Sequence, residues 1–162
     1  MGRLDRIRPY LEKLLREGFA IPDLAPDAEG DYPFRFRSAG YYVRLMNEQS
    51  PTVQLFSVAV HDIKRAPKLM AKLNEMNAAL SFVRVYWLDH KVVVSTELVA
   101  ETLDAEELGN ACNIVGRAAD GIGRTLVAEF GGHVLFEDAD EDAADHKPPI
   151  PAAVSAENAG YL

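Results

Sequence analysis

The sequence predicts an α+β fold: a two-layer sandwich in which an antiparallel five-stranded sheet carries helices on one face, in the order α-β-β-β-α-β-β-α. Three observations predict it. Three segments repeat apolar residues at steps of three and four, the period of a helix with one buried stripe. Five shorter segments alternate with period two and are rich in β-branched and aromatic residues, as strands are. Turn-forming residues (Gly40, "NEQSP", "DHK") separate the strands, so the first three and the last two each read as an antiparallel meander or hairpin. One sheet with helices against one face is the two-layer solution for that order.

The first helix rests on Leu4, Ile7, Leu11, Leu14, Leu15 and Phe19, with Gly18 near its C-terminal end. Pro9 either starts the regular helix or kinks it. Residues 20–33, "AIPDLAPDAEGDYP", read as a loop. Strands follow as "FRFR" at 34–37, "YYVRLM" at 41–46, "VQLFSVAV" at 53–60, "FVRVYWL" at 82–88 and "VVVSTEL" at 92–98. Between the third and fourth, Pro67 opens a helix whose stripe is Leu69, Met70, Leu73, Met76 and Leu80. Asp104 and Glu107 have capping-box spacing ahead of a long helix with Leu108, Ala111, Cys112, Val115, Ala119, Ile122, Leu126 and Phe130 on one side. Gly131 and Gly132 stop it. Gly116, Gly121 and Gly123 inside it each cost about 1 kcal/mol against alanine, which calls for a close packing partner or a break.

A chain of 162 residues suits one domain. We expect it over residues 1–136, with an acidic, Pro- and Ala-rich tail at 137–162. Of the net charge of −8, the tail carries −6, from seven carboxylates and Lys147. A near-neutral body with an acidic tail excludes nucleic acid as a partner, since that affinity needs concentrated Lys and Arg. No run approaches the roughly 20 apolar residues of a membrane helix, and the N-terminus has no apolar signal core, so a cytoplasmic protein with no membrane partner is expected. Cys112 is the only cysteine, which excludes an intrachain disulfide, and its small neighbours assign it to packing.

No catalytic or metal residue and no cofactor motif emerges. His61, His90, His133 and His146 show no helical ligand spacing. In the His61-Asp62 pair, neighbours on an extended strand point to opposite faces, against an oriented general base. "GIGRTL" at 121–126 falls within a helix and has Leu126 at the third glycine position, so it is not a dinucleotide loop. One surface constellation remains. If Phe34, Phe36, Val43, Leu45, Phe56, Val58, Val83, Val85, Trp87, Val92 and Val94 face the helices, alternation sends Arg35, Arg37, Tyr42, Arg44, Met46, Leu55, Arg84 and Tyr86 to the other face. Arg, Tyr and Met are enriched at protein interfaces, although arginine stems on a solvated sheet account for the same pattern. Asn74 and Asn77 sit near the second helix-to-strand junction, where a short amide suits bracing of backbone groups.

The stretch "KLNEMNAALSFVRVYWLDHKVVVSTELV" (Leu73, Asn74, Asn77 and the hairpin at 82–98) and "LDAEELGNACNIVGRAADGIGRTLVAEFGG" (the last helix, ending Phe130-Gly131-Gly132) resemble the YbjN-like family, whose fold is similar to the bacterial type III secretion chaperones. The likeness spans roughly residues 4 to 132. It implies a non-enzymatic module, often a homodimer, that binds peptide segments of partner proteins, or alternatively a sensory transduction regulator that binds one folded partner or a small ligand. It carries over no catalytic or metal residue.

Overall fold

The N-terminal apolar stripe builds α1, Arg3–Phe19, which begins ahead of Pro9 and runs through it. The proline costs one N–H inside the helix, while Leu11, Leu14 and Leu15 are buried against the sheet. Ala20, with φ 52°, closes the helix in the left-handed conformation, and the N–H of Ile21 returns to Arg16 O at 3.0 Å. The computed structural model describes residues 1–138, so the tail expected at 137–162 lies outside the described residues beyond its first two positions.

The strands are β1 (Tyr32–Phe36), β2 (Ala39–Met46), β3 (Thr52–Val60), β4 (Arg84–Leu88) and β5 (Lys91–Val99). They form one antiparallel sheet in the order β1-β2-β3-β5-β4. The two sequence-local units thus join through β3 and β5 at the centre and leave β1 and β4 at the edges. β4 starts at Arg84 rather than Phe82 because Phe82 has φ 70°, a conformation that a strand cannot contain. Asp89 and His90, with φ 47° and 61°, make the two-residue β4–β5 turn, the twist that hairpins favour.

Helix α2 (Pro67–Ala79) has its proline at the first turn, and α3 (Ala105–Phe130) is unbroken. Asp104 caps α3 by accepting the Glu107 N–H at 2.8 Å. Two of its glycines answer the packing question. A Cβ on Gly116 would stand 2.9 Å from Phe36 Cβ, and one on Gly123 2.6 Å from Ala59 O, so both let the helix lie directly on the sheet. Gly121 has nothing within 4 Å.

Buried residues of all three helices share one core with Phe34, Val43, Leu45, Val53, Leu55, Val85, Val92 and Val94. A separate cluster, Tyr42, Phe56, Val58 and Val93 with Tyr86 beside it, occupies the outer face. This corrects the facing of β3. Leu55, expected outward, is fully buried under the helices, while Phe56 and Val58, expected inward, point out. β3 is the central strand and apolar on both sides, so alternation alone does not orient it; the pairing of Leu55 with Val43 does.

Candidate binding face of the sheet

The register assembles the centre of the outer face from β2, β3, β5 and β4, with Arg35 of β1 at its margin. Arg44 on β2 lies opposite Gln54 on β3, which lies opposite Glu97 on β5; the next row runs Tyr42, Phe56, Ser95, Arg84. The rings of Tyr42 and Phe56 stack at 5.3 Å. The Arg44 guanidinium stands 4.6 Å from the Phe56 ring and Arg84 stands 5.8 Å from Tyr86, distances at which the cation is drawn to the ring face. An aromatic and valine strip therefore runs across the face between arginines.

Each arginine is held differently. Arg44 forms a two-pronged pair with the buried Asp31, at 2.8 and 2.6 Å, which fixes the loop before β1 beside the face and raises the Arg44 pKa. That loop brings Asp27, Glu29 and Asp31 near Tyr42, whose phenol is pushed well up, first by burial and then by those carboxylates. Arg84 donates to Ser95 Oγ at 2.9 Å, and Arg35 donates to Arg37 O at 2.9 Å with its guanidinium 3.9 Å from the Phe136 ring. Among the described residues, neither Arg35 nor Arg84 has an ion pair. Near the centre, Gln54 is 2% exposed and its Oε1 has no hydrogen-bond partner among the described residues. A buried acceptor left this way is costly unless a donor reaches it.

Of the residues the sequence placed on this face, the structure brings together Arg35, Tyr42, Arg44, Arg84 and Tyr86, with Met46 at its far end opposite Thr52. Two depart. Leu55 belongs to the helix-side core, and Arg37 sits in the β1–β2 turn with φ 49°, its Nη1 4.0 Å from Asp120 Oδ2 on α3. A residue in a tight turn leaves the two-residue alternation, so extending the strand pattern to Arg37 misplaced it. Sequence reasoning missed Phe56, Val58 and Val93, which resembled core residues, and Gln54, the one long polar side chain within a strand apolar on both sides.

The sheet edges are both blunted. Asn77, on the last turn of α2, spans the edge of β4: its Nδ2 donates to Val85 O at 2.7 Å and its Oδ1 accepts from Val85 N at 2.8 Å. Asn74 is exposed one turn earlier. On the other edge, Pro33 within β1 has no N–H to offer.

Elsewhere, Asp120 accepts hydrogen bonds from the Ser38 hydroxyl, the Ser38 N–H and Arg124 Nε, tying α3 to the β1–β2 turn. His61, Asp62, Asp89, His90, Lys91 and His133 line a cleft of about 290 Å³. Asp62 lies 3.4 Å from His133 Nδ1 rather than on its neighbour, and burial, with His133 and Lys91 adding to it, lowers His61 to about 4. No group of three metal-binding side chains occurs among the described residues. Burial raises the Cys112 thiol to about 12, which keeps it protonated and unreactive. No helix among the described residues is long and apolar enough to cross a membrane.

The sequence model of the family described as TY-Chap1, T3SS (YopN, CesT) and YbjN peptide-binding chaperone 1, matches residues 5–138. Among solved structures, a chain in the crystal structure of the ExsC–ExsE complex superposes with a TM-score of 0.61 at 18% identity, covering 78% of this chain and 97% of that one. Its likeness supports the fold of three helices on a five-stranded antiparallel sheet. No curated protein matches the chain.

Proposed function

The chain belongs to the TY-Chap1 family of T3SS and YbjN peptide-binding chaperones, and on that premise we propose that it is a non-enzymatic module that holds an extended segment of a partner protein on the outer face of its sheet. The observation that carries this is the strip of Tyr42, Phe56, Val58, Val93 and Tyr86 on the side away from the helices, bordered by Arg35, Arg44 and Arg84. An extended peptide supplies what the face lacks: apolar side chains on alternate residues, carboxylates for Arg35 and Arg84, and a backbone N–H for Gln54 Oε1. Strand addition at an edge is disfavoured, because Asn77 already takes both backbone groups of Val85 and Pro33 interrupts the donors of β1. The structurally similar ExsC chain is held in a complex with ExsE, in keeping with a protein partner here.

The test uses a photo-crosslinking amino acid in place of Tyr86 on the outer face, or in place of Lys72 on α2, in lysate of the source cell. Adducts from position 86 that disappear in a folded Tyr42→Ala/Arg84→Ala background, with none from position 72, are the expected result. Equal adducts from both positions, or adducts from 86 that survive the double substitution, overturn the assignment.

A further inference from the structure

The outer-face strip is covered. Tyr42, Phe56, Val58 and Val93 are each 5% exposed or less, although the buried residues of all three helices belong to the other face. The path of the chain after α3 bears on what covers it. Gly131 and Gly132, with φ 81° and 79°, turn the chain so that His133 pairs with His61 in an isolated antiparallel bridge, its O accepting at 2.8 Å and its N donating at 3.0 Å. Phe136 then donates its N–H to Ser38 O at 3.1 Å and lays its ring 3.9 Å from the Arg35 guanidinium. The chain has thereby crossed the end of the sheet and reached the β1 margin of the outer face. Next along the chain come Asp138, Asp140, Glu141, Asp142 and Asp145, and then "KPPIPAAV" at 147–154.

We propose that this C-terminal segment is an internal ligand of the outer face: its carboxylates bind Arg35 and Arg84, its Pro-rich stretch lies on the aromatic strip, and a partner peptide binds by displacing it. The proposal rests on the reading of that face as the peptide site. Reach permits it. Four strand spacings from β1 to β4 are about 19 Å at ~4.8 Å each, and the seven steps from residue 138 to 145 span roughly 23 Å when extended. Charge permits it too, since Arg44 already shows how a carboxylate seats here, through Asp31, while Arg35 and Arg84 have no ion pair among the described residues. A Pro-rich segment is pre-extended and docks against aromatic side chains at low entropic cost. A tether this short sets an effective concentration on the order of 1 mM, so even an intrinsic affinity of about 0.1 mM weakens a competing peptide about tenfold.

The experiment compares the full chain with a full chain in which the five carboxylates at 138, 140, 141, 142 and 145 are changed together to Asn or Gln. Nitrogen-15 NMR follows the Arg35 and Arg84 Nε–H signals and the amides of β3 and β5. Expected are shifts confined to the outer face between the two chains, which vanish when ionic strength is raised from about 0.02 to about 0.5 M. A synthetic peptide of residues 137–156 added to the neutralised chain restores the wild-type positions. No difference between the chains overturns the proposal, as does a difference that depends on protein concentration, which assigns the face to a second copy. The position-86 cross-link separates the two readings. Equal partner adducts in both chains overturn the tail as competitor and keep the face as the peptide site. No adducts in either chain, with the arginine signals still shifted, keep the tail contact and overturn the partner reading.

Discussion

Replacing Asn77 with alanine tests whether the helix-to-strand junction is a brace for the edge of the sheet. The substitution removes two hydrogen bonds, at 2.7 and 2.8 Å, and strips the outward N–H and C=O of Val85 of their protein partner. Each such bond contributes about 0.5 to 1.5 kcal/mol net. Asn77 is exposed, so water replaces part of the loss, and alanine gains some helix propensity over asparagine. The balance is about 1 to 2 kcal/mol of destabilisation, or a melting-temperature decrease of roughly 2 to 8 °C for a chain of this size. Urea unfolding should show a lower midpoint at unchanged slope, and native-state hydrogen exchange should accelerate at Val85 while β3 amides keep their protection. Asn77→Asp keeps the bond from Val85 N–H but turns a carboxylate toward Val85 O, so it should destabilise the edge as well. A loss below about 0.3 kcal/mol for Asn77→Ala, with Val85 exchange unchanged, would refute the brace.

Folding stability should depend on His61. Its folded-state pKa is lowered to about 4 against 6.5 in the unfolded chain, so the unfolded state binds the extra proton in that window. Stability is therefore full above about pH 6.5 and falls as pH drops toward 4, by at most about 3 kcal/mol and less to the extent that water reaches the ring; His61→Gln should flatten the profile of urea midpoint against pH. Gly123→Ala and Gly121→Ala should act in opposite directions. The first drives a methyl to 2.6 Å from Ala59 O and costs about 1 to 3 kcal/mol, while the second meets open space and gains up to about 1 kcal/mol, both read from thermal unfolding. Leu55→Ala should cost about 2 to 5 kcal/mol, because Leu55 is fully buried beneath the helices. A cost under 1 kcal/mol would return it to the outer face.

The legible parts of this chain were those where local chemistry has one solution. Helical stripes with an Asp104 cap, Pro67 at a first turn and paired glycines at a stop define α2 and α3 to within a residue or two, and strands broken by turn residues give the element order. β3 was not legible in the same way. Its two sides, Val53, Leu55, Ser57 and Ala59 against Gln54, Phe56 and Val58, are both suited to burial, and the decision between them comes from pairing with Val43 on the preceding strand and with Thr96 on β5, distant in sequence. The β-bulge between Val58 and Val60 then returns Val60 to the helix-side core, a reversal that no alternation contains. The same ambiguity hid the candidate binding face, because a strand apolar on both sides gives alternation no polar side to mark. Arg35, Arg44 and Arg84 were readable because arginine has no place in the helix-side core. Phe56, Val58 and Val93 were not, because they are as buried and apolar as core residues although they lie on the face away from the helices.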